Sequence, residues 1–115
     1  MSESACIFCK IARKEIPSAA VLETDDVFAF RDAHPQAPVH VLVVPKVHIS
    51  RLSETGPGHE ALLGSCLAAA TQVARAEGLD SYRVVVNDGK DAGQSVFHLH
   101  FHLLGGRSFF KWPPG

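Results

Sequence analysis

Three histidines alternate along one short stretch of the chain, separated and flanked by apolar side chains. His98, His100 and His102 are interleaved with Phe97, Leu99, Phe101 and Leu103. Successive side chains of a β-strand point to opposite faces, so a strand here would carry three imidazoles on one face and four apolar groups on the other. With seven histidines in 115 residues, chance places such a triplet somewhere in the chain with a probability of only about 2–3%. The pattern therefore indicates a functional site.

Two kinds of chemistry use several imidazoles, namely metal binding and nucleophilic catalysis. A strand rises ~3.3 Å per residue, which puts the Cα atoms of His98 and His102 about 13 Å apart. Three successive rings then converge poorly on one zinc ion, whose nitrogen ligands lie within about 2.1 Å. A neutral imidazole attacks phosphorus well, while its neighbours hold phosphate oxygens. The spacing favours nucleophilic catalysis at phosphorus, and a His₃ zinc hydrolase is the weaker alternative.

A glycine-rich segment, 89–95, directly precedes the histidines and reads Gly-Lys-Asp-Ala-Gly-Gln-Ser. Glycines let backbone N–H groups approach a phosphate, and Gln94 and Ser95 add side-chain donors. Alone, such a segment is more often a plain hairpin loop, but its position before the histidines favours a phosphate-binding loop. The sequence shows no Walker loop and no carboxylate cluster suited to Mg²⁺, so we expect no magnesium and no organic cofactor.

Cys6 and Cys9 have the spacing of a zinc knuckle. A redox pair and two ordinary thiols are open alternatives, although no thioredoxin-like βαβ pattern follows them. The third cysteine, Cys66, falls on an apolar helix face and is expected in the core. An odd number of cysteines is a poor disulfide framework, which favours a reducing, cytoplasmic compartment.

The composition is that of a globular chain, with 46% hydrophobic residues, 20% charged residues and a net charge of −1. We expect no polymeric nucleic acid as partner, because a basic footprint is absent. No apolar run approaches the ~20 residues of a membrane helix, and the N-terminus lacks the pattern of a signal peptide. The length of 115 residues predicts one domain over 1–115.

Hydrophobic periodicity predicts the elements that must position these residues. Apolar residues recur at spacings of three and four over 58–78, which predicts one long helix with Gly78 as C-cap. Tyr82–Val86 is expected to be a strand buried on both faces, and 95–104 the last strand. The sum is an α+β fold with a five-stranded, mostly antiparallel sheet. Its other elements are a brief helix within 6–14 and strands at Val21–Glu23, Val27–Arg31 and Val39–Val44.

Several motifs, in order along nearly the whole chain, resemble the histidine triad (HIT) family in its Hint branch. The resemblance implies the HIT fold, with its sheet continued across a two-fold homodimer. It also implies a hydrolase of purine nucleoside phosphoramidates and related adenylates, such as AMP-amines and aminoacyl-AMP. The motifs are Cys6-Ile-Phe-Cys9, Pro35-Gln-Ala-Pro38 followed by His40, Pro45-Lys-Val-His48, Val86-Asn87-Asp-Gly89, Gly93-Gln-Ser95, the triad with Leu103 and Leu104, and Trp112-Pro-Pro-Gly115.

The resemblance assigns roles to individual residues. His100 would attack the α-phosphorus to form a nucleotidyl-histidine that water then hydrolyses, and Ser95 would help to protonate the leaving amine. Asp32 would bind ribose hydroxyls, although Asp is also a common turn residue, and His40 would lie beside the triad as a fourth histidine. The phosphate would be held by Asn87, Gly93, Gln94, Ser95 and His102. The base pocket would be lined by Ile7, Phe8, Ile11 and Phe30, for which spacing alone favours a simple core role.

The resemblance also completes a metal site by adding His48 and His98 to the cysteine pair. Such a structural zinc would have four protein ligands and no open position for catalysis. His34 and His59 lie outside the motifs and are expected to face solvent.

The C-terminal tail, 105–115, is expected to carry Trp112 toward the active site of a partner subunit. Tyr82–Val86 is too apolar for an exposed sheet edge, so this strand and the long helix are expected to form the dimer interface. A protein of another class stays open as an alternative, namely a non-catalytic nucleotide-binding scaffold dimer that uses the same pocket.

Overall fold

The structure is a computed structural model that describes residues 5–109 and 111–112. Two α-helices and five strands make up its regular elements, and single 3₁₀ turns lie at Leu52–Glu54, Pro57–His59 and Lys90–Ala92. In chain order the elements are α1 (Ile7–Ala12), β1 (Ala20–Glu23), β2 (Val27–Arg31), β3 (Val39–Pro45), α2 (Glu60–Ala76), β4 (Tyr82–Val86) and β5 (Phe101–Gly105).

The five strands form one sheet in the order β1-β2-β3-β5-β4, and every neighbouring pair is antiparallel. This confirms the predicted α+β class. β5 lies between β3 and β4, so that His102 pairs with Leu42 on one side and with Val85 on the other. The last histidine of the triad is therefore held by two ladders near the middle of the sheet.

The side chains of β2 and β3 alternate between two apolar clusters on opposite faces of the sheet. On one face, Val41 and Val43 pack with the buried side of α2 and with Leu99 and Leu103. On the other face, residues of β2 and β3 pack with α1. His102 is opposite Leu42, a member of this second cluster, so the histidines belong to the α1 face.

Helix α2 ends as the sequence predicts. Gly78 has a φ of 70°, in the left-handed region that favours glycine. The N–H of Gly78 donates to the carbonyl of Arg75 at 3.1 Å, and that of Leu79 to Ala74 at 3.0 Å, which forms a Schellman motif. The predicted first turn is instead a separate 3₁₀ turn, Pro57–His59. Neither α-helix in the described residues is long and apolar enough to cross a membrane.

Two strand predictions are wrong. The last strand begins at Phe101 and not at residue 95, because both of its ladders end there, opposite Val43 and Val86. The preceding residues turn away from the sheet, and the N–H of Leu99 donates to the carbonyl of Ile49 at 2.7 Å.

Strand β4, expected to be buried on both faces, lies at the edge of the sheet because β5 is inserted between it and β3. Tyr82 and Val84 are 39% and 37% exposed in the single chain. A β-branched sequence predicts a strand, but it does not distinguish an edge position from a central one.

Candidate active site and metal cluster

A cavity of about 500 Å³ opens on the α1 face of the sheet, a volume typical of sites for small ligands. Its lining is apolar in part and polar in part. The four residues predicted for the base pocket all line it, together with Leu42: Ile7, Phe8, Ile11 and Phe30. The polar lining includes Asp32, His34, Ser95, His100 and His102.

His100 is oriented by the backbone just before it. Its Nδ1–H donates to the carbonyl of His98 at 2.7 Å, so in the neutral ring the lone pair is on Nε2. The ring of Phe8 stands perpendicular to the imidazole, with the ring centroids 5.1 Å apart. Burial lowers the pKa of His100 below its ordinary value, so the ring is neutral at pH 7. A buried, neutral imidazole with an unprotonated Nε2 has the properties of a nucleophile.

His40 and His102 form a second, connected pair. The backbone N–H of Gln36 donates to His40 Nδ1 at 3.0 Å, which assigns the proton of that ring to Nε2. His40 Nε2–H then donates to His102 Nδ1 at 2.9 Å, so His102 carries its own proton on Nε2. Burial lowers the pKa of His102 to about 4 and also lowers the pKa of His40. His102 is thus a neutral ring with an Nε2–H donor.

Asp32 joins this pair at the cavity wall. Its Oδ1 accepts the N–H of His34 at 2.7 Å, and its Oδ2 lies 3.4 Å from His40 Nε2. Each oxygen has a second lone pair with which it could accept a ligand hydroxyl. His34 is exposed, as predicted, but it also lines the cavity, which its position outside the motifs did not indicate.

Of the four loop residues predicted to hold phosphate, only Ser95 lines the cavity. Gln94 is buried, and its amide is engaged inside the protein: Oε1 accepts the N–H of Gly89 at 2.8 Å. Its Nε2–H₂ group donates to the carbonyls of Ser50 and Val96, at 2.8 and 3.1 Å. The Gln94 side chain therefore shapes the loop.

Asn87 and Gly93, the other two predicted phosphate ligands, lie against each other. Gly93 has a φ of 100°, and a Cβ atom there would be 3.7 Å from Asn87 Nδ2. The left-handed backbone favours glycine at this position. It lets the loop close over the Asn87 amide.

Cys6, Cys9, His48 and His98 converge on a separate point, with their ligand atoms all within 4.8 Å of one another. Cys6 Sγ is 3.3 Å from His98 Nδ1, and Cys9 Sγ is 3.3 Å from His48 Nδ1. A tetrahedral zinc ion with ordinary bond lengths would separate sulfur and nitrogen by about 3.6 Å. His98 Nε2–H donates to the carbonyl of Pro45 at 2.8 Å, an outer contact that orients metal-ligating histidines. The four residues fit a structural zinc ion.

Trp112 packs on its own chain in the described structure. Its ring centroid is 5.2 Å from that of Phe109, and the guanidinium of Arg83 lies 5.4 Å from the Trp112 ring. Arg83 Nη1–H donates to the Trp112 carbonyl at 2.8 Å. The rest of the predicted tail motif, 113–115, lies outside the described residues. The contact of Trp112 with a partner subunit stays a prediction.

Fold and site together define a small α+β protein with a histidine-lined ligand cavity beside a Cys₂His₂ cluster. The chain belongs to the HIT domain family, because the model of that family matches residues 13–109. This confirms the resemblance on which the sequence-based assignment of roles rests.

Named relatives are similar over most of their lengths. The chain is 51% identical to a "14 kDa zinc-binding protein" of Zea mays over 118 residues, covering 100% of this chain and 91% of the relative. It is 50% identical to "Adenylylsulfatase HINT1" of Arabidopsis thaliana over 117 residues, covering 99% of this chain and 79% of the relative. A crystal structure of a HIT family hydrolase from Legionella pneumophila Philadelphia 1 matches with a TM-score of 0.91 and 47% identity, covering 96% of this chain and 99% of that one.

Proposed function

We propose that this protein hydrolyses purine nucleoside phosphoramidates and related adenylates through a covalent intermediate on His100. One observation carries the proposal: the His98 carbonyl holds the proton of His100 on Nδ1, which leaves Nε2 as the nucleophilic atom. Burial keeps that ring neutral, and the ring lines a cavity of nucleotide size. The relative named a HIT family hydrolase supports hydrolysis, and the relative named an adenylylsulfatase supports chemistry on adenylates.

The side chains that line the cavity suggest how the substrate lies. The apolar ones would hold the purine, Asp32 would accept the ribose hydroxyls, and the α-phosphate would lie between Ser95 and the triad. His102 would donate its Nε2–H to a phosphate oxygen, a direction that the hydrogen bond from His40 enforces. Asn87 would add a further donor to the phosphate.

The reaction then proceeds in two steps, formation and hydrolysis of a nucleotidyl-histidine. His100 Nε2 attacks the α-phosphorus, the P–N bond breaks, and the leaving amine takes a proton from the Ser95 hydroxyl. Water next attacks the nucleotidyl-histidine, releases the nucleoside monophosphate and returns a proton to Ser95. Positioning and electrostatic stabilisation supply most of the acceleration in such transfers. The neutral donors of this site are suited to the spread charge of the transition state.

Cys6, Cys9, His48 and His98 would hold a structural zinc ion. The name of the Zea mays relative and the fit of the four donors support this assignment. The ion would connect the start of α1 to the segment after β3 and to the triad, and so brace the cavity wall. Four protein ligands leave the metal no position for substrate, so its contribution is to folding and not to the reaction.

We further propose a homodimer built on the edge strand β4 and on helix α2. Tyr82 and Val84 on β4, together with Leu67 on α2, are large apolar side chains that the single chain leaves exposed. An open edge of this kind invites pairing with a second copy. The whole chain would act as one domain, with 105–115 extending to the partner subunit. None of the three cysteines, all of them among the described residues, forms a disulfide, which is in keeping with the cytoplasm.

Turnover of an adenosine phosphoramidate tests the proposed reaction. Wild-type protein should release the amine, and mass spectrometry of quenched reactions should find a nucleotidyl adduct on His100. His100→Ala should lose turnover by at least about a hundredfold, yet bind AMP within about tenfold of wild type. His59→Ala is the matched control, because His59 lies outside the cavity lining and its ring accepts the N–H of Gly56, outside the loop and the triad.

The outcome separates the alternatives. A wild-type protein that binds AMP but turns over no AMP-amine, acyl-adenylate or adenylyl sulfate would be the scaffold dimer. A complete loss of activity with chelator, without a nucleotidyl adduct, would instead indicate a zinc hydrolase. Residual turnover of His100→Ala within tenfold of wild type would rule out its role as nucleophile.

A further inference from the structure

The Asp88 carboxylate accepts three hydrogen bonds from the segment that follows β3. Its Oδ1 accepts Arg51 Nε–H at 2.9 Å, the backbone N–H of Ser53 at 3.3 Å and the Ser53 hydroxyl at 3.2 Å. The Arg51 guanidinium holds the pKa of the Asp88 carboxyl below its usual value. The carboxylate is therefore ionised in the pH range of the proposed reaction. These contacts join the loop after β4 to a segment 35 to 37 residues away in sequence.

Arg51 also covers the next residue of that loop. Gly89 is buried and has a φ of 98°, and a Cβ atom on it would be only 2.6 Å from Arg51 Nη2. The backbone conformation favours glycine there, and a Cβ atom would push the end of the Arg51 side chain out of its position. The ion pair with Asp88 and this contact hold Arg51 across the outer side of the loop.

Gly89 connects the part of the loop that Arg51 contacts to the cavity, through hydrogen bonds to Gln94. Its N–H donates to Gln94 Oε1 at 2.8 Å, and its carbonyl accepts the N–H of Gln94 at 3.0 Å. Gln94 is bonded in turn to the carbonyl of Ser50, and it directly precedes Ser95, which lines the cavity. Residues 90–93 are exposed and have little packing to locate them, so hydrogen bonds must hold the loop in place.

We propose that Arg51, Asp88 and Ser53 form a clamp that positions the phosphate-binding loop, 87–95, for the transfer step. The clamp residues are positioning residues, since they reach the substrate only through Asn87, Gln94 and Ser95. The inference rests on the proposed function, because it assumes that this loop holds the phosphate. Misplacement of a reacting group by 1 Å can cost about a hundredfold in rate. Loosening the clamp should therefore lower the rate and leave binding of the nucleoside part unchanged.

Steady-state kinetics on Asp88→Ala, with an adenosine phosphoramidate as substrate, test the clamp. We expect kcat to fall about tenfold and AMP affinity to weaken, while adenosine, which lacks the phosphate, binds within about twofold of wild type. Asp88→Glu keeps the carboxylate and should recover activity to within about threefold of wild type. A purely structural ion pair would lower the melting temperature and leave the kcat unchanged.

Glu23→Gln is the matched control. Like Asp88, Glu23 forms a surface ion pair, in its case with Lys14 and Lys46, and its side chain is 35% exposed against 34% for Asp88. It lies outside the loop and the cavity lining, so this variant should retain the wild-type kcat.

A double-mutant cycle checks that the residues act together. If Arg51 and Asp88 are one clamp, Arg51→Gln combined with Asp88→Asn should lower kcat no further than the more severe single variant. Additive losses would overturn the proposal, and so would an Asp88→Ala enzyme within twofold of the wild-type kcat. If Asp88→Ala fails to fold, the two milder variants carry the same test. If the wild-type protein shows no turnover, the proposed function is contradicted instead. In that case AMP binding tests the clamp: an AMP affinity equal to wild type in the clamp variants would overturn it.

Discussion

Folding stability should fall between pH 6.5 and 4, and the half-buried His102 should contribute a defined part of that fall. Burial, followed by the neighbouring His100 and His40, lowers the pKa of His102 from 6.5 to about 4. Above pH 6.5 the ring is neutral in both folded and unfolded chains. Between the two pKa values the unfolded chain binds a proton that the folded chain does not, so the free energy of unfolding decreases as the pH falls. A shift of this size corresponds to about 3 kcal/mol, and the loss should stop below about pH 4.

Urea denaturation at several pH values from 7.5 to 4 measures the contribution of His102 to the free energy of unfolding. His102→Gln removes the titrating ring, so its free energy of unfolding should decrease over that range by about 3 kcal/mol less than that of wild type. Contributions from the Cys₂His₂ cluster, from carboxylates and from the other histidines are present in both proteins, so the difference between the two reports on His102. His59→Gln, whose ring is only half-buried and lies outside the cavity lining, should follow wild type. Equal pH dependence in wild type and His102→Gln would refute the reasoning.

Three further changes test the metal, the packing and the tail. Cys6→Ser should remove bound zinc, measured by elemental analysis, and lower the melting temperature by about 4 °C or more with little effect on kcat. Cys66→Ser should keep the metal. Gly105→Ala should lower the free energy of unfolding, measured by urea denaturation, by about 1–3 kcal/mol, because its Cβ would be 2.5 Å from Leu79 Cδ1. In a Leu79→Ala background the same substitution should lower it much less. Deletion of 112–115 should leave a dimer in sedimentation but change the kcat/KM ratio of small to bulky amine substrates. Unchanged ratios would exclude the tail from the site.

The sequence predicts well what depends on local spacing. Cys6 and Cys9 lie at the start of a single helix, where Cys6 Sγ caps the N–H of Cys9 at 3.4 Å, so three residues of separation suffice to bring both thiols together. The Schellman end of α2 at Gly78 is equally local. His48 and His98 are 39 and 89 residues from Cys9. Only the family resemblance predicted these two histidines as members of the cluster, because residue spacing carries no information over such long separations in sequence.

Tertiary context decides the features that the pattern did not predict. The β-branched residues of β4 indicate a strand, but the insertion of β5 beside it determines that it lies at the edge. Gln94 has the chemistry of a phosphate ligand, yet its amide is bonded to Gly89, Ser50 and Val96. The hydrogen bonds from Gln36 to His40 and from His40 to His102 include one between residues 62 positions apart, and no periodicity encodes it.

Because β5 begins only at Phe101, the three histidines of the triad have different surroundings, and this difference accounts for the different roles proposed for them. In a regular strand the carbonyl groups lie in the plane of the sheet and bond to neighbouring strands, while side chains stand perpendicular to it. A strand running through 98–102 would therefore direct the His98 carbonyl away from the His100 ring. Because the ladder begins only at Phe101, the chain at His98 can turn this carbonyl onto His100 Nδ1 and its imidazole onto the cysteines. His102, still within the ladder, keeps the regular orientation that lets it meet His40 from the adjacent strand. The departure from strand geometry thus lets one residue, His98, contribute its side chain to the Cys₂His₂ cluster and its backbone carbonyl to the proposed nucleophile.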